Sequence, residues 1–245
     1  MAAQQAAAVI RSHFATATAT EFKGAVDPVT AVDRAAEALV RALLSQHRPD
    51  DTIVGEEEGG QASSGRTWIV DPLDGTINFV HRLPHVAVSI ALYEGAIGLV
   101  GVIVDVMHDE LFAAQRGAGA TVNGSPMAVS EAARLDQALV AIGFPYDRRE
   151  KAQTYGSTVV RILERARGIR RLGAAALDLA YVAAGRVDGY VEHSLQPWDV
   201  AAGEVILREA GGRITSEHDK PRPVMSTGPV VASNGHIHPE LLGVI

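Results

Sequence analysis

Four groups of acidic residues have the types and spacing to do chemistry together: Glu56-Glu57, the run Asp71-Pro72-Leu73-Asp74-Gly75-Thr76, Glu192, and Trp198-Asp199. Pro72 fixes one backbone dihedral and Asp74-Gly75 favours a tight turn. Such a turn presents two carboxylates and the Leu73 carbonyl to one side. These are the hard oxygen donors that magnesium takes, at about 2.1 Å in octahedral geometry. Thr76 is placed to open the next helix. Its amide and that of Gly75 would then point toward an anion, with the helix dipole adding to the attraction. One short segment therefore offers room for a divalent cation and for a phosphate.

Taken alone, Asp-Pro-Leu-Asp-Gly is also an ordinary turn. The apolar strand in front of it and the other acidic groups shift the balance, because each carboxylate stands where a strand ends or a helix begins. Of Glu56, Glu57 and Glu58, Glu56 is the expected functional member and at least one neighbour is surface charge. Asp199 also fits the N-cap of the helix behind it. His81 and His85 are four residues apart, but Pro84 lies between them, so a structural role is expected rather than a helical zinc pair. Asn123-Gly124-Ser125 reads as a turn.

The elements that must position these groups follow from the spacing of apolar residues. Residues 2–18 and 31–47 read as helices. Thr30 and Asp33 make a capping box at the second, with Asp in place of the usual Glu. Lys23, in the polar loop between them, is placed to reach the site. Short strands at 52–55 and 67–70 deliver Glu56 and Asp71. Strands at 86–93, 96–106 and 110–115, with turns at Glu94-Gly95 and His108-Asp109, form an antiparallel meander. Then the pattern alternates: strand 138–142, helices 150–166 and 174–184, strand 187–192, helix 199–210, strands 213–216 and 229–233, and a helix at 238–244. Such alternation predicts a layered α/β unit. A boundary near residue 132 divides 1–132, an α+β half carrying the metal-binding motifs, from 133–245, an α/β half that completes the site with Asp199 and substrate contacts.

The bulk numbers bound these readings. The chain has 245 residues, 47% hydrophobic and 21% charged, enough for one compact unit or two packed halves. A net charge of −7, with no basic run denser than residues 167–171, argues against nucleic acid as a primary partner and suits a site that gathers cations. The absence of cysteine excludes disulfides, zinc–thiolate sites and thiol catalysis. The N-terminus reads as an amphipathic helix rather than a signal peptide, and no run is long enough to span a membrane, so no membrane partner and a cytoplasmic location are expected.

Gly55-Glu56-Glu57, then residues 68–79 (WIVDPLDGTINF), then residues 198–203 (WDVAAG), resemble in order and spacing the motifs of the inositol monophosphatase family. Residues 82–90 and 177–189 are similar to bacterial members, and the resemblance runs from about residue 6 to the C-terminus. It implies a five-layered αβαβα sandwich, with an antiparallel sheet in the first half and a smaller mixed α/β sheet in the second, commonly a homodimer. It also implies a lithium-sensitive, magnesium-dependent phosphomonoesterase with two or three Mg2+ ions per site. The expected substrate is a small polyol or sugar phosphate, inositol 1-phosphate first among them, hydrolysed by direct attack of a metal-activated water.

Carried over by position, Glu56, Asp71 and the Leu73 carbonyl would hold one metal, and Asp71, Asp74 and Asp199 a second. Gly75 and Thr76 would bind phosphate through their amides. Glu56 and Thr76, the latter backed by Asp33, would orient the attacking water. Asp74, Ala174, Ala175 and Glu192 would contact substrate. Glu192 falls where inositol-specific relatives set a carboxylate against substrate hydroxyls, and a carboxylate accepts two such bonds. Ala174 stands where relatives usually carry Ser or Thr, and the lost hydroxyl reads either as a loosened or changed specificity or as simple drift. Histidinol phosphate, fructose 1,6-bisphosphate and adenosine 3′,5′-bisphosphate remain alternative substrates within the superfamily. A regulatory scaffold in RNA metabolism, with secondary phosphatase activity, is the alternative from another class.

Overall fold

A computed structural model describes residues 1–16, 21–24 and 27–245. The side chain of Lys23, and with it the expected reach into the site, lies outside the described residues. Helix α1 (Ala2–His13) opens the chain, ending short of the expected residue 18, and the ribbon β1 (Glu21–Gly24) and β2 (Asp27–Val29) precedes α2 (Ala31–His47). The capping box at α2 forms as the sequence predicts: the Thr30 hydroxyl accepts from the Val32 and Asp33 amides, and Asp33 accepts from the Thr30 amide at 2.9 Å. This turns Asp33 back into the protein, where it is buried.

Seven strands follow: β3 (Thr52–Gly55), β4 (Arg66–Asp74), β5 (Ala87–Glu94), β6 (Ile97–Asp105), β7 (Glu110–Gln115), β8 (Ala120–Val122) and β9 (Ser125–Met127), with the short helix α3 (Thr76–Val80) between β4 and β5. They pair in sequence order into one sheet, antiparallel throughout except that β3 runs parallel to β4. β4 continues past the expected end at Val70. Its pairing with β5 slips between Asp71, opposite Ser89, and Asp74, opposite Ala87. Three steps on β4 thus match two on β5, and such a bulge re-aims side chains at a strand end. The two aspartates owe their setting to it.

The second half contains β10 (Leu139–Ile142), α4 (Ala152–Leu163), β11 (Gly168–Arg170), α5 (Ala175–Ala183), β12 (Gly189–Leu195), α6 (Pro197–Glu209), β13 (Arg213–Thr215), β14 (Gly228–Ser233) and α7 (His238–Leu242). The strand order is β11-β10-β12-β14-β13, parallel over the first three and antiparallel over the rest.

Three hydrophobic cores fill the four interfaces between five layers, one of them spanning both sides of the central helices. Ala6 and Ile10 of α1 and Val40 of α2 pack on Val70, Val88 and Val104 of the large sheet. The opposite face of that sheet, with Ile69, Ala91 and Ile103, packs on Leu177, Leu179, Val205 and Ile206 of α5 and α6, which in turn cover Tyr190 and Ala232 of the small sheet. Val140, Val191 and Val231 close the far face against Ile162 of α4 and Leu241 of α7. The alternation of Ile69 and Val70 between two cores is the period-two pattern of a strand buried on both faces. The result is the five-layered αβαβα sandwich. Among the described residues no helix is long and apolar enough to cross a membrane.

Candidate active site

A cleft of about 700 Å³ opens where the C-terminal ends of β3 and β4 meet the N-terminal ends of α5 and α6. It gathers most of the residues singled out from the sequence. Glu56, Asp74, Gly75, Thr76, Ala174, Ala175, Glu192 and Asp199 all line it, with Trp198 and Asn78 beside them. Asp71 and Leu73 are buried directly behind.

Each carboxylate is held by a specific donor. Asp71 Oδ1 accepts from the Leu73 amide at 3.0 Å. Asp74 accepts through both oxygens, from the Ala175 amide at 3.1 Å and the Ala176 amide at 2.7 Å, so the start of α5 fastens the second half of the chain to β4. Ala175 thus meets the site through its amide, and that amide is engaged by Asp74. Asp199 Oδ2 accepts from the Gln196 amide at 2.7 Å. Its place differs from the expected N-cap. Pro197 has the fixed φ suited to the first helical position, so α6 starts two residues earlier, Gln196 is the N-cap and Asp199 is the third residue of a capping box. The carboxylate still faces the cleft.

The carboxylates of this cluster crowd like charge into a buried space. Burial pushes Asp71 well above the usual carboxylate range, and the charges of Glu56, Asp74 and Asp199 push it further; Glu56 also hydrogen-bonds to it. Asp199 rises in the same way through burial and then the charge of Glu56. Asp74 is raised to about 6 by burial, against the pull of the α5 amides. Buried like charges of this kind are relieved by a bound cation or by protons. In this structure no three acidic or histidine side chains among the described residues converge on one point closely enough to form a finished metal cage. The donor chemistry nevertheless fits divalent cations: four carboxylates and a carbonyl, all hard oxygen donors.

Beside the carboxylates, Gly75 adopts φ +88° and caps α3. Among the described residues nothing accepts a hydrogen bond from the Gly75 or Thr76 amides. With only five residues, α3 is too short for a developed dipole, so attraction for an anion here would come from these two amides rather than from the helix. The Thr76 hydroxyl lies 3.1 Å from Asp33 Oδ1 and 3.1 Å from the Leu73 carbonyl. Asn78 braces the loop from below, donating to the carbonyls of His85 and Leu172, both at 2.9 Å. The His85 carbonyl supports this loop and its ring stands edge-on to Tyr181.

The far wall carries Glu192, which accepts from the Tyr190 hydroxyl and is raised to about 7 by burial. Sequence reasoning missed three neighbours. Arg171 and Asp178 also line this wall, and Asp178 is buried, with burial and then the charge of Asp74 pushing it well up. Both were hidden in an apolar helix and a basic run whose tertiary neighbours the spacing does not reveal. Glu37, behind Glu56, was hidden as one more charge in an amphipathic helix.

A layered αβαβα sandwich with paired aspartates at a bulged strand end, facing two open amides, is the architecture of a sugar-phosphatase-like fold. The family model described as "Inositol monophosphatase family" matches residues 1–245, and the chain belongs to that family. It is 45% identical over 240 residues, 96% of this chain and 90% of the relative, to "Nus factor SuhB" of Escherichia coli (strain K12). It is 40% identical over 248 residues, 98% of this chain and 96% of the relative, to an inositol-1-monophosphatase of Caulobacter vibrioides. The solved inositol monophosphatase of Anabaena (Nostoc) sp. superposes with a TM-score of 0.89 at 41% identity, covering 99% of this chain and 91% of that one.

Membership supports a phosphatase of this superfamily, and the family is generally metal-dependent. One expectation is overturned. The relatives named Nus factor SuhB conflict with the view that nucleic acid is not a primary partner. That view rested on a whole-chain charge of −7, and a net charge averages over the surface without describing any local patch.

Proposed function

We propose that the protein hydrolyses a small polyol or sugar phosphate monoester in a magnesium-dependent reaction, with inositol 1-phosphate the leading substrate. The observation that carries this reading is the meeting, in one cleft, of Glu56, Asp74 and Asp199 with the open amides of Gly75 and Thr76. Glu56, Asp71, the Leu73 carbonyl, Asp74 and Asp199 would hold Mg2+, which when bound supplies positive charge to the phosphoryl oxygens and makes water more acidic.

The chain's own groups do the rest. The Gly75 and Thr76 amides bind phosphoryl oxygens and stabilise the charge that shifts onto them. The Thr76 hydroxyl directs its proton to Asp33 or to the Leu73 carbonyl, which leaves its oxygen free to accept from water. Glu56 accepts the other water proton, so that a lone pair faces phosphorus. The new bond is water oxygen to phosphorus and the broken bond is the ester oxygen to phosphorus; the proton that Glu56 takes from the water passes through solvent to the leaving oxygen, giving inorganic phosphate and the free alcohol. Ala174 presents no hydroxyl, so substrate recognition falls to Glu192 and the groups around it. At a pKa near 7, Glu192 can both accept from and donate to substrate hydroxyls.

The test is phosphate release from inositol 1-phosphate, glycerol 2-phosphate, fructose 1,6-bisphosphate, histidinol phosphate and adenosine 3′,5′-bisphosphate. The reading predicts inositol 1-phosphate far ahead in kcat/KM; another winner moves the substrate assignment to that compound. A second reading, a role as a Nus factor, is favoured by the name of relatives at 45% identity. Retention of RNA at near-physiological salt, unchanged in Asp74→Asn, would support it, and absence of retention would count against it.

A further inference from the structure

Glu37 lies on α2, outside the cleft, and is completely buried, yet it is ringed by donors from one segment. Its Oε2 accepts from the Glu57 amide at 2.7 Å and its Oε1 from the Glu58 amide at 3.1 Å. Arg41, one turn along α2, donates to Oε1 at 2.8 Å, to the Gly59 carbonyl at 2.6 Å, and stands 3.3 Å from Glu58 Oε2. A Cβ on Gly55 would come 2.1 Å from Glu37 Oε1, so the absence of a side chain at residue 55 is what lets the carboxylate in. The segment is pinned on its other side as well, by the Glu56 amide to Val70 at 3.2 Å and the Gly55 amide to Gly59 at 3.0 Å.

From this arrangement we infer that Glu37, paired with Arg41, is a positioning residue that fixes the Gly55–Gly59 turn and thereby sets Glu56 in the cleft. A buried carboxylate costs free energy unless paired and hydrogen-bonded, and among the described residues its bonds end on the turn that carries Glu56 or on the arginine that clamps the same turn. The inference rests on the proposed role of Glu56 and extends it to residues that never touch substrate. Glutamine cannot replace the carboxylate, because its amide nitrogen would face one of the two backbone N–H groups, donor against donor.

The experiment is a kinetic cycle with Glu37→Gln, Glu56→Ala and the double variant, using magnesium-dependent hydrolysis of inositol 1-phosphate. A displacement of catalytic groups by about 1 Å can cost on the order of a hundredfold. Glu37→Gln is therefore expected to lower kcat about ten- to a hundredfold with KM within about twofold. In the Glu56→Ala background the same change should cost less than about twofold, because its effect runs through Glu56. Equal losses in both backgrounds, or a kcat within about twofold of wild type, would overturn the inference. Should Glu37→Gln not fold, Arg41→Met, at a partly exposed position, carries the same test: about a threefold or greater fall in kcat, absent in the Glu56→Ala background. Wild-type activity tests the proposed function separately, since an inactive parent with bound magnesium would refute that reading and not this one.

Discussion

Replacing Gly75 by alanine should damage both stability and activity, and the structure separates the reasons. Gly75 sits at φ +88°, where an L-residue costs about 1–2 kcal/mol. An added Cβ would lie 2.9 Å from the His85 carbonyl and 3.3 Å from Ala174 Cβ, and neither neighbour is a flexible side-chain tip. Crowding of this kind costs about 1–3 kcal/mol. Gly95 provides the control: it too has positive φ, +57°, but a Cβ there meets nothing within 4 Å. Gly95→Ala should cost only the conformational part. With about 2–4 °C per kcal/mol for a chain of this size, Gly75→Ala should melt about 2–12 °C below Gly95→Ala. Calorimetry on both variants reads this difference. Phosphate release should fall at least about a hundredfold in Gly75→Ala and stay within about twofold in Gly95→Ala, because only the first displaces the amides proposed to bind phosphate. Equal melting temperatures, or near-normal turnover by Gly75→Ala, would refute the assignment of this loop.

Asp74→Asn should lower magnesium-dependent turnover by orders of magnitude while circular dichroism and melting stay near wild type: it loses one acceptor for the α5 amides but also removes a buried charge from the carboxylate cluster. Glu192→Gln should reduce kcat/KM for inositol 1-phosphate about tenfold with hydrolysis of p-nitrophenyl phosphate within about twofold; equal losses would exclude a recognition role. His238 is fully buried between Thr215 and Ser233, and burial lowers its pKa to about 4. A depressed histidine contributes stability that is complete above its unfolded value near 6.5 and is lost as pH falls toward 4, so the unfolding free energy from urea titrations should drop over that window by up to about 3 kcal/mol. His238→Gln should flatten the drop.

What the sequence made legible was local. The Thr30/Asp33 capping box and the meander of β5 to β7 announce themselves through cap residues and period-two patterning and fall where they were read, whereas the Asp71–Asp74 run, read as a turn, is the bulged end of β4. Other features depend on contacts far along the chain. The parallel pairing of β3 with β4 and the bulge that aims Asp71 and Asp74 arise from register, which a single strand does not encode. Asp199 moved from cap to third helical position because Pro197 starts the helix earlier. Glu37 and Asp178 look like surface charges on helices until tertiary packing buries them. The exclusion of nucleic acid failed for a different reason, since total charge carries no spatial information.

The most direct test of the central claim is the rate of phosphate release from inositol 1-phosphate by the purified protein, measured with Mg2+ and again with excess chelator. The account predicts turnover with Mg2+ that chelator abolishes and fresh Mg2+ restores. Equal rates in both conditions, or no turnover by folded protein saturated with Mg2+, would contradict it.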